Sequence, residues 1–198
     1  VPSFHIKPID LTILNSIPSN KEITLVIDES HSLGILGMNG CGIFSTINLP
    51  NIKRKIMVSS LGKAFGLTGG VIASDAEFIN QMATHDTFVS SAGMNAAFVQ
   101  TMTDADNIYL QQHQKLKDNL QYIDVNLIKN KAIHFNSNYP LIYPEIEGLN
   151  EIFTANKIIV TNFKYPTDSK NLNRIVITAN HQKEDLDTII HILNQNQF

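Results

Sequence analysis

The feature that most constrains this chain is the stretch Ile23-Thr24-Leu25-Val26-Ile27, together with the polar residues directly after it. Five consecutive β-branched or apolar residues read as a strand with both faces buried, which is the habit of parallel sheets in α/β proteins. The run ends on Asp28-Glu29-Ser30-His31, and a loop punctuated by Gly34, Gly37, Gly40 and Gly42 comes next. Open α/β sheets bind ligands beyond the carboxyl ends of their strands. The junction at residue 28 is therefore where a site is expected.

The rest of the chain fits that class. Asp10 can cap a short helix with Leu11, Leu14 and Ile17 on one face. A second apolar run, Ile56-Met57-Val58, ends at Ser59-Ser60-Leu61-Gly62-Lys63, and a third, Val71-Ile72-Ala73, follows Gly69-Gly70. Asp75 reads as the cap of a helix reaching about His85. Leu116, Leu120, Ile123 and Leu127 recur at helical spacing within one long helix predicted over about 95–130. Beyond residue 130 the texture changes to a small α+β unit. It has strands at 140–143, 158–161 and 175–177, and helices at about 149–156 and 184–194. The domain reading is 1–105, a connecting long helix over 106–130, and a small C-terminal α+β domain over 131–198.

Composition removes several function classes. With 15 Lys+Arg against 18 Asp+Glu the net charge is −3, and nothing resembles the basic patch of a nucleic-acid binder. The single cysteine, Cys41, excludes a disulfide framework and points to a reducing, cytoplasmic compartment. No run approaches the roughly 18 apolar residues of a membrane helix. Charged residues are only 17% of the chain against a usual share of about 25%. Few charges remain to cover an exterior, so apolar surface on residues 1–100 is expected to stay exposed unless a partner covers it.

Several side chains could carry chemistry. Lys63 lies among Gly62, Ala64, Phe65 and Gly66, small or apolar neighbours that suit a lysine forming a Schiff base. Asp28 follows a buried strand and calls for a cationic partner, for which a pyridinium nitrogen would serve. His31 could donate to a ring oxygen or transfer a proton. Ser60, Ser90 and Ser91 offer hydroxyls to a phosphate, and Arg174, at the head of an apolar strand, suits a substrate carboxylate. Each has an ordinary alternative: a solvated lysine, a helix cap or ion pair, a satisfied loop histidine, loop serines, a strand-edge ion pair. Asp28 with His31 could also be a metal pair, but no third ligand stands nearby, and no metal is expected.

Taken together the segments resemble the pyridoxal-phosphate-dependent α-oxoamine synthases, the group of 8-amino-7-oxononanoate synthase, glycine C-acetyltransferase and serine palmitoyltransferase. The run from Asp28 to Gly37 is similar to that family's aspartate–histidine segment, and Ser60-Leu61-Gly62-Lys63-Ala64-Phe65-Gly66 to its Schiff-base lysine segment. Phe88-Val89-Ser90-Ser91 is similar to the loop that reaches the second subunit's cofactor. Tyr165-Pro166-Thr167, then Arg174 through His181 and Glu184 through Asp187, resemble its C-terminal signature. The four segments fall in the family's order. Cys41 stands where the family often carries Arg or Lys, and Gly93-Met94-Asn95 replaces a proline-containing stretch.

The resemblance implies part of a fold type I large domain, with a mostly parallel sheet, joined to the small C-terminal domain. It implies pyridoxal 5'-phosphate as cofactor and a homodimer with a shared site. Lys63 would carry the cofactor and serve as proton-transfer base. Asp28 would pair with the pyridinium nitrogen, and His31 with the phenolic oxygen. Ser60 would bind phosphate in the same subunit, Ser90 and Ser91 in the other, and Arg174 the amino acid's carboxylate. The reaction implied joins an acyl-CoA to an amino acid with loss of carbon dioxide and CoA. A class I/II aminotransferase or a non-catalytic dimerisation remnant are the alternatives. Family chains are roughly twice as long, so the 198 residues are expected to be the later half of such a protein and inactive alone.

Overall fold

The structure is a computed structural model that describes residues 1–2, 5–164 and 171–196. It divides into two compact units, Val1–Ser3 with Pro8–Leu110, and Phe4–Lys7 with Gln111–Phe198.

The first unit is built on a three-stranded sheet: β1 (Ile23–Asp28), β2 (Ile52–Ser60) and β3 (Gly70–Ala73), in that spatial order. β1 and β2 are parallel, with Val26 opposite Ile56 and Asp28 opposite Val58. β3 runs antiparallel to β2, so the described sheet is mixed. The 3-10 turn Leu11–Ser16 precedes it, capped by Asp10, whose carboxylate accepts from Thr12 N–H. α1 (Ala76–Ala83) starts where Asp75 accepts from Phe78 N–H, and α2 (Asp86–Val89) and α3 (Ala96–Asp104) follow.

β1 departs from its expected burial. Its side chains alternate between half-buried and exposed, and Val26 is 60% exposed. The face carrying Thr24, Val26 and Asp28 is open among the described residues, so an all-apolar run here does not mean two covered faces. Ile72, Phe88, Val89, Phe98 and Val99 are exposed as well, which is the apolar surface the low charge content leads one to expect.

One residue, Ala105, separates α3 from α4 (Asp106–Asn126), so the predicted single helix over 95–130 is two. Asp104 and Asp106 flank the break at Ala105. Aspartate is a poor interior residue and a good one in a first turn, where it meets the positive end of the helix dipole.

The second unit has an antiparallel sheet ordered β4-β5-β7-β6. Its strands are β4 (Ile133–Asn136), β5 (Tyr139–Pro144), β6 (Thr161–Lys164) and β7 (Asn171–Val176). β5 is buried along its whole length. α4, α5 (Leu149–Ala155) and α6 (Lys183–Gln195) supply Ile123, Phe153, Leu186 and Leu193 to the core. α6 begins with a capping box between Gln182 and Asp185. Asn119 donates to the carbonyls of Thr178 and His181, tying α4 to the entry of α6.

The strand expected over 158–161 starts instead at Thr161. Lys157 takes a left-handed φ of +61°, and Ile158 N–H bonds back to Phe153 C=O, so these residues close the end of α5. Ile159 is consequently 99% exposed. Tyr165-Pro166-Thr167 lies outside the described residues. No described helix is long and apolar enough to cross a membrane.

Candidate functional site

The site begins where β1 stops. Asp28 is the last residue of the strand and accepts a hydrogen bond from Ser30 N–H at 2.8 Å. Ser30, through its side chain first and its N–H second, holds the Asp28 carboxyl below the ordinary aspartate range. Partial burial opposes this, and the positive fields of Lys63 and His31 add to it. Those two fields mark the three groups as neighbours. Asp28, Ser30, His31 and Lys63 all line one cavity of about 390 Å3, together with apolar Pro8 and Ile9.

Two loops bring them together. Behind Asp28, the chain turns at Glu29, whose C=O accepts from Ser32 and Leu33 N–H. It then runs through the glycines to the 3-10 turn Phe44–Thr46. The second loop, after β2, is closed by Leu61 N–H to Gly69 C=O, Leu67 N–H to Leu61 C=O and Gly66 N–H to Lys63 C=O. Tyr109 braces it, donating its hydroxyl to Phe65 C=O at 3.2 Å and setting its ring edge-on to Phe65 at 4.8 Å.

The loops touch at Gly34. It has φ +83°, and a Cβ there would lie 2.6 Å from the Ala64 Cβ. Glycine at this position is what lets the His31 loop approach the Lys63 loop. Ser60 N–H also donates to Ser30 Oγ at 2.8 Å, joining the ends of β1 and β2.

The predicted site residues divide into four groups. Asp28, His31 and Lys63 are gathered at the cavity. Lys63 is exposed, so the small apolar neighbours in its sequence do not enclose it within the described residues. Ser60 lies beside the cavity without lining it, and its hydroxyl accepts from Gly62 N–H. Ser90 and Ser91 are exposed, do not line the cavity, and turn their hydroxyls to the carbonyls of Thr87 and Phe88.

Arg174 belongs to the second unit, on β7, with its guanidinium 5.8 Å from the Phe163 ring centroid. Among the described residues its Nε is buried without a hydrogen-bond partner, as is the Tyr143 hydroxyl. Buried donors are ordinarily satisfied, so the Arg174 Nε stands out as a donor that could take an acceptor. Among the described residues no group of three or more His, Cys, Asp or Glu could hold a metal ion.

Sequence reading passed over Glu29, which is fully buried. Its carboxylate accepts from Ser32 Oγ at 2.7 Å, Ile43 N–H at 2.9 and 3.0 Å, and Phe44 N–H at 2.7 Å. The available signal was an acidic residue placed directly after an apolar strand and ahead of four closely spaced glycines.

Residues 6–193 match the family model described as aminotransferase class I and II. An 8-amino-7-oxononanoate synthase of Vibrio parahaemolyticus serotype O3:K6 is 31% identical over 189 residues, covering 86% of this chain and 47% of the relative. Among solved structures, 8-amino-7-oxononanoate synthase from Francisella tularensis superposes with a TM-score of 0.62 at 23% identity. That match covers 86% of this chain and 54% of the other. A serine palmitoyltransferase from S. paucimobilis, solved with a bound PLP–myriocin adduct, gives 0.65 at 17% identity, covering 87% and 47%. At those identities the two structures speak to the fold. The chain spans about half the length of the curated relatives it matches.

Proposed function

The chain belongs to the aminotransferase class I and II family, and from that premise we propose that it is the cofactor-holding part of a pyridoxal-phosphate-dependent α-oxoamine synthase, condensing an acyl-CoA with an amino acid. The observation that carries the reading is the meeting of Asp28, His31 and Lys63 at one cavity beyond the end of a strand.

The donor set fits the cofactor. A protonated ring nitrogen needs an anion, and Asp28 is kept ionised by Ser30. A phenolic oxygen needs a hydrogen-bond donor, and His31 is one loop turn away. An aldehyde carbon needs an amine, and Lys63 is the lysine lining the cavity. Pyridoxal phosphate, when bound, supplies an electron sink for charge developing at the amino acid's Cα.

The chain's own residues do the rest. Asp28 holds the proton on the ring nitrogen, and His31 orients the ring through its phenolic oxygen. Lys63 would hold the cofactor through its Nζ, and the same amine would move the proton at the amino acid's Cα. Ser60 binds phosphate in the same subunit, and Ser90 and Ser91 reach the cofactor phosphate of a second subunit. Arg174 takes the substrate carboxylate. The protein acts as a cytoplasmic homodimer.

The test supplies the intact polypeptide with pyridoxal phosphate, an amino acid and an acyl-CoA, and assays free CoA and keto acid together. Release of CoA that depends on the amino acid is expected. A keto acid formed with no need for CoA would replace this reading with an aminotransferase.

A further inference from the structure

Glu29 sits between Asp28 and Ser30, both of which line the cavity, yet it is itself 0% exposed. Burying a carboxylate is costly unless hydrogen bonds replace its water. Here they do, and their origin is informative. Ser32 is three residues on, whereas Ile43 and Phe44 lie fourteen and fifteen residues on, at the far end of the glycine loop. One side chain thus pins both ends of that loop to the end of β1. Glu29 is in none of the described ion pairs, and its carboxylate is met directly by oriented N–H and O–H donors.

The fit is close. A Cβ on Gly42 would stand 2.4 Å from Glu29 Oε2, and Gly42 has φ +74°. The same loop carries Gly34, which meets Ala64 beside Lys63. Glutamine has nearly the same shape, but its amide would aim a donor at backbone N–H groups that are themselves donors.

Resting on the cofactor reading, we infer that Glu29 is a positioning residue. Its carboxylate fixes the loop that sets Asp28 and His31 against the cofactor ring and keeps that loop seated beside Lys63. It touches neither substrate nor cofactor and acts through those neighbours.

The test compares wild type, Glu29→Gln, Ser32→Ala, His31→Ala and the Glu29→Gln/His31→Ala double variant in the intact polypeptide. Pyridoxal phosphate is the probe. Affinity, the pH at which its visible band shifts, borohydride trapping on Lys63 and thermal melting without cofactor are all read. Glu29→Gln should weaken binding by about 10–100-fold, by analogy with the range seen when the outer hydrogen-bond partner of a metal ligand is lost. It should move the pH of the band shift and still trap on Lys63. Ser32→Ala, which removes one donor and leaves the backbone pair, should do the same to a smaller degree. The double variant should lose less than the sum of its singles, because both act through His31.

The inference is overturned if Glu29→Gln binds with wild-type affinity and an unmoved band. It is equally overturned if Glu29→Gln lowers only the melting temperature, or if the losses with His31→Ala simply add. A wild type that does not trap on Lys63 overturns the cofactor reading, and this inference with it. That result is distinct from a failure of Glu29 alone.

Discussion

The two units of the chain are held together by different means. In the second, buried apolar side chains come from every kind of element: Ile123 on α4, Ile142 on β5, Phe153 on α5 and Leu193 on α6 are at 0% exposure. In the first, the deepest described side chains are Glu29 at 0% and Ser32 at 1%, followed by Leu61 at 3%. Val26, Ile72 and Phe98 meanwhile remain exposed. Apolar burial orders the second unit. A hydrogen-bonded carboxylate, backed by glycines that permit close approach, orders the part of the first that carries the site. A polar network of this kind fixes geometry more than it adds stability, since each internal hydrogen bond replaces one to water.

The contrast can be broken by mutation. The largest effect is expected from Phe153→Ala, which empties a closed core position and should cost about 3–5 kcal/mol. Hydrogen exchange should show that loss in amides of residues 111–196. Leu61→Ala should cost about 2 kcal/mol, the low end for such a truncation, because Gly62, Lys63 and Ala64 beside it are exposed. It should also loosen the Lys63 loop, seen as faster exchange at Leu67. Val26→Thr should change stability by less than about 0.5 kcal/mol, as surface substitutions do. A loss of several kcal/mol at Val26 would mean that the open face of β1 is covered in the working protein.

Titration separates the units in the same way. Burial pushes the Tyr139 hydroxyl up to about 12, with Tyr143 adding to it and Arg174 opposing. Its folded value is raised, so its contribution to stability is complete below pH 10 and is lost between about 10 and 12. Absorbance of tyrosinate should therefore show Tyr139 still neutral at about pH 11. Asp28 has the opposite sign. Its folded value is lowered, so its contribution is present above about pH 3.8 and fades as the pH falls through that lower value. Carboxyl NMR should find Asp28 still charged where an ordinary aspartate has half protonated. Because Asp28 is exposed, its effect on stability is the smallest of these.

Much of this was legible in the residues. The strand at 23–27 and the caps at Asp10 and Asp75 are local signals that the structure carries through, although one face of that strand stays open. The segment order that resembles α-oxoamine synthases needed nothing but sequence. What was not legible depends on distant contacts. Periodicity runs smoothly through 95–130 and does not mark a break whose cause is Asp104 and Asp106 around one buried alanine. Nothing local says that Ile158 turns back on Phe153, which delays β6 to Thr161. Glu29 looked like an ordinary acidic neighbour of Asp28, because its donors at Ile43 and Phe44 lie beyond four glycines.

The proposed function stands or falls on Lys63, Asp28 and His31 forming a pyridoxal-phosphate site. It can be probed by adding the cofactor to the intact polypeptide, reducing with borohydride and mapping the modified peptide by mass. One pyridoxyl group is expected, on Lys63, and absent in Lys63→Ala. Labelling that survives Lys63→Ala, or that falls on another lysine in the wild type, would contradict the assignment.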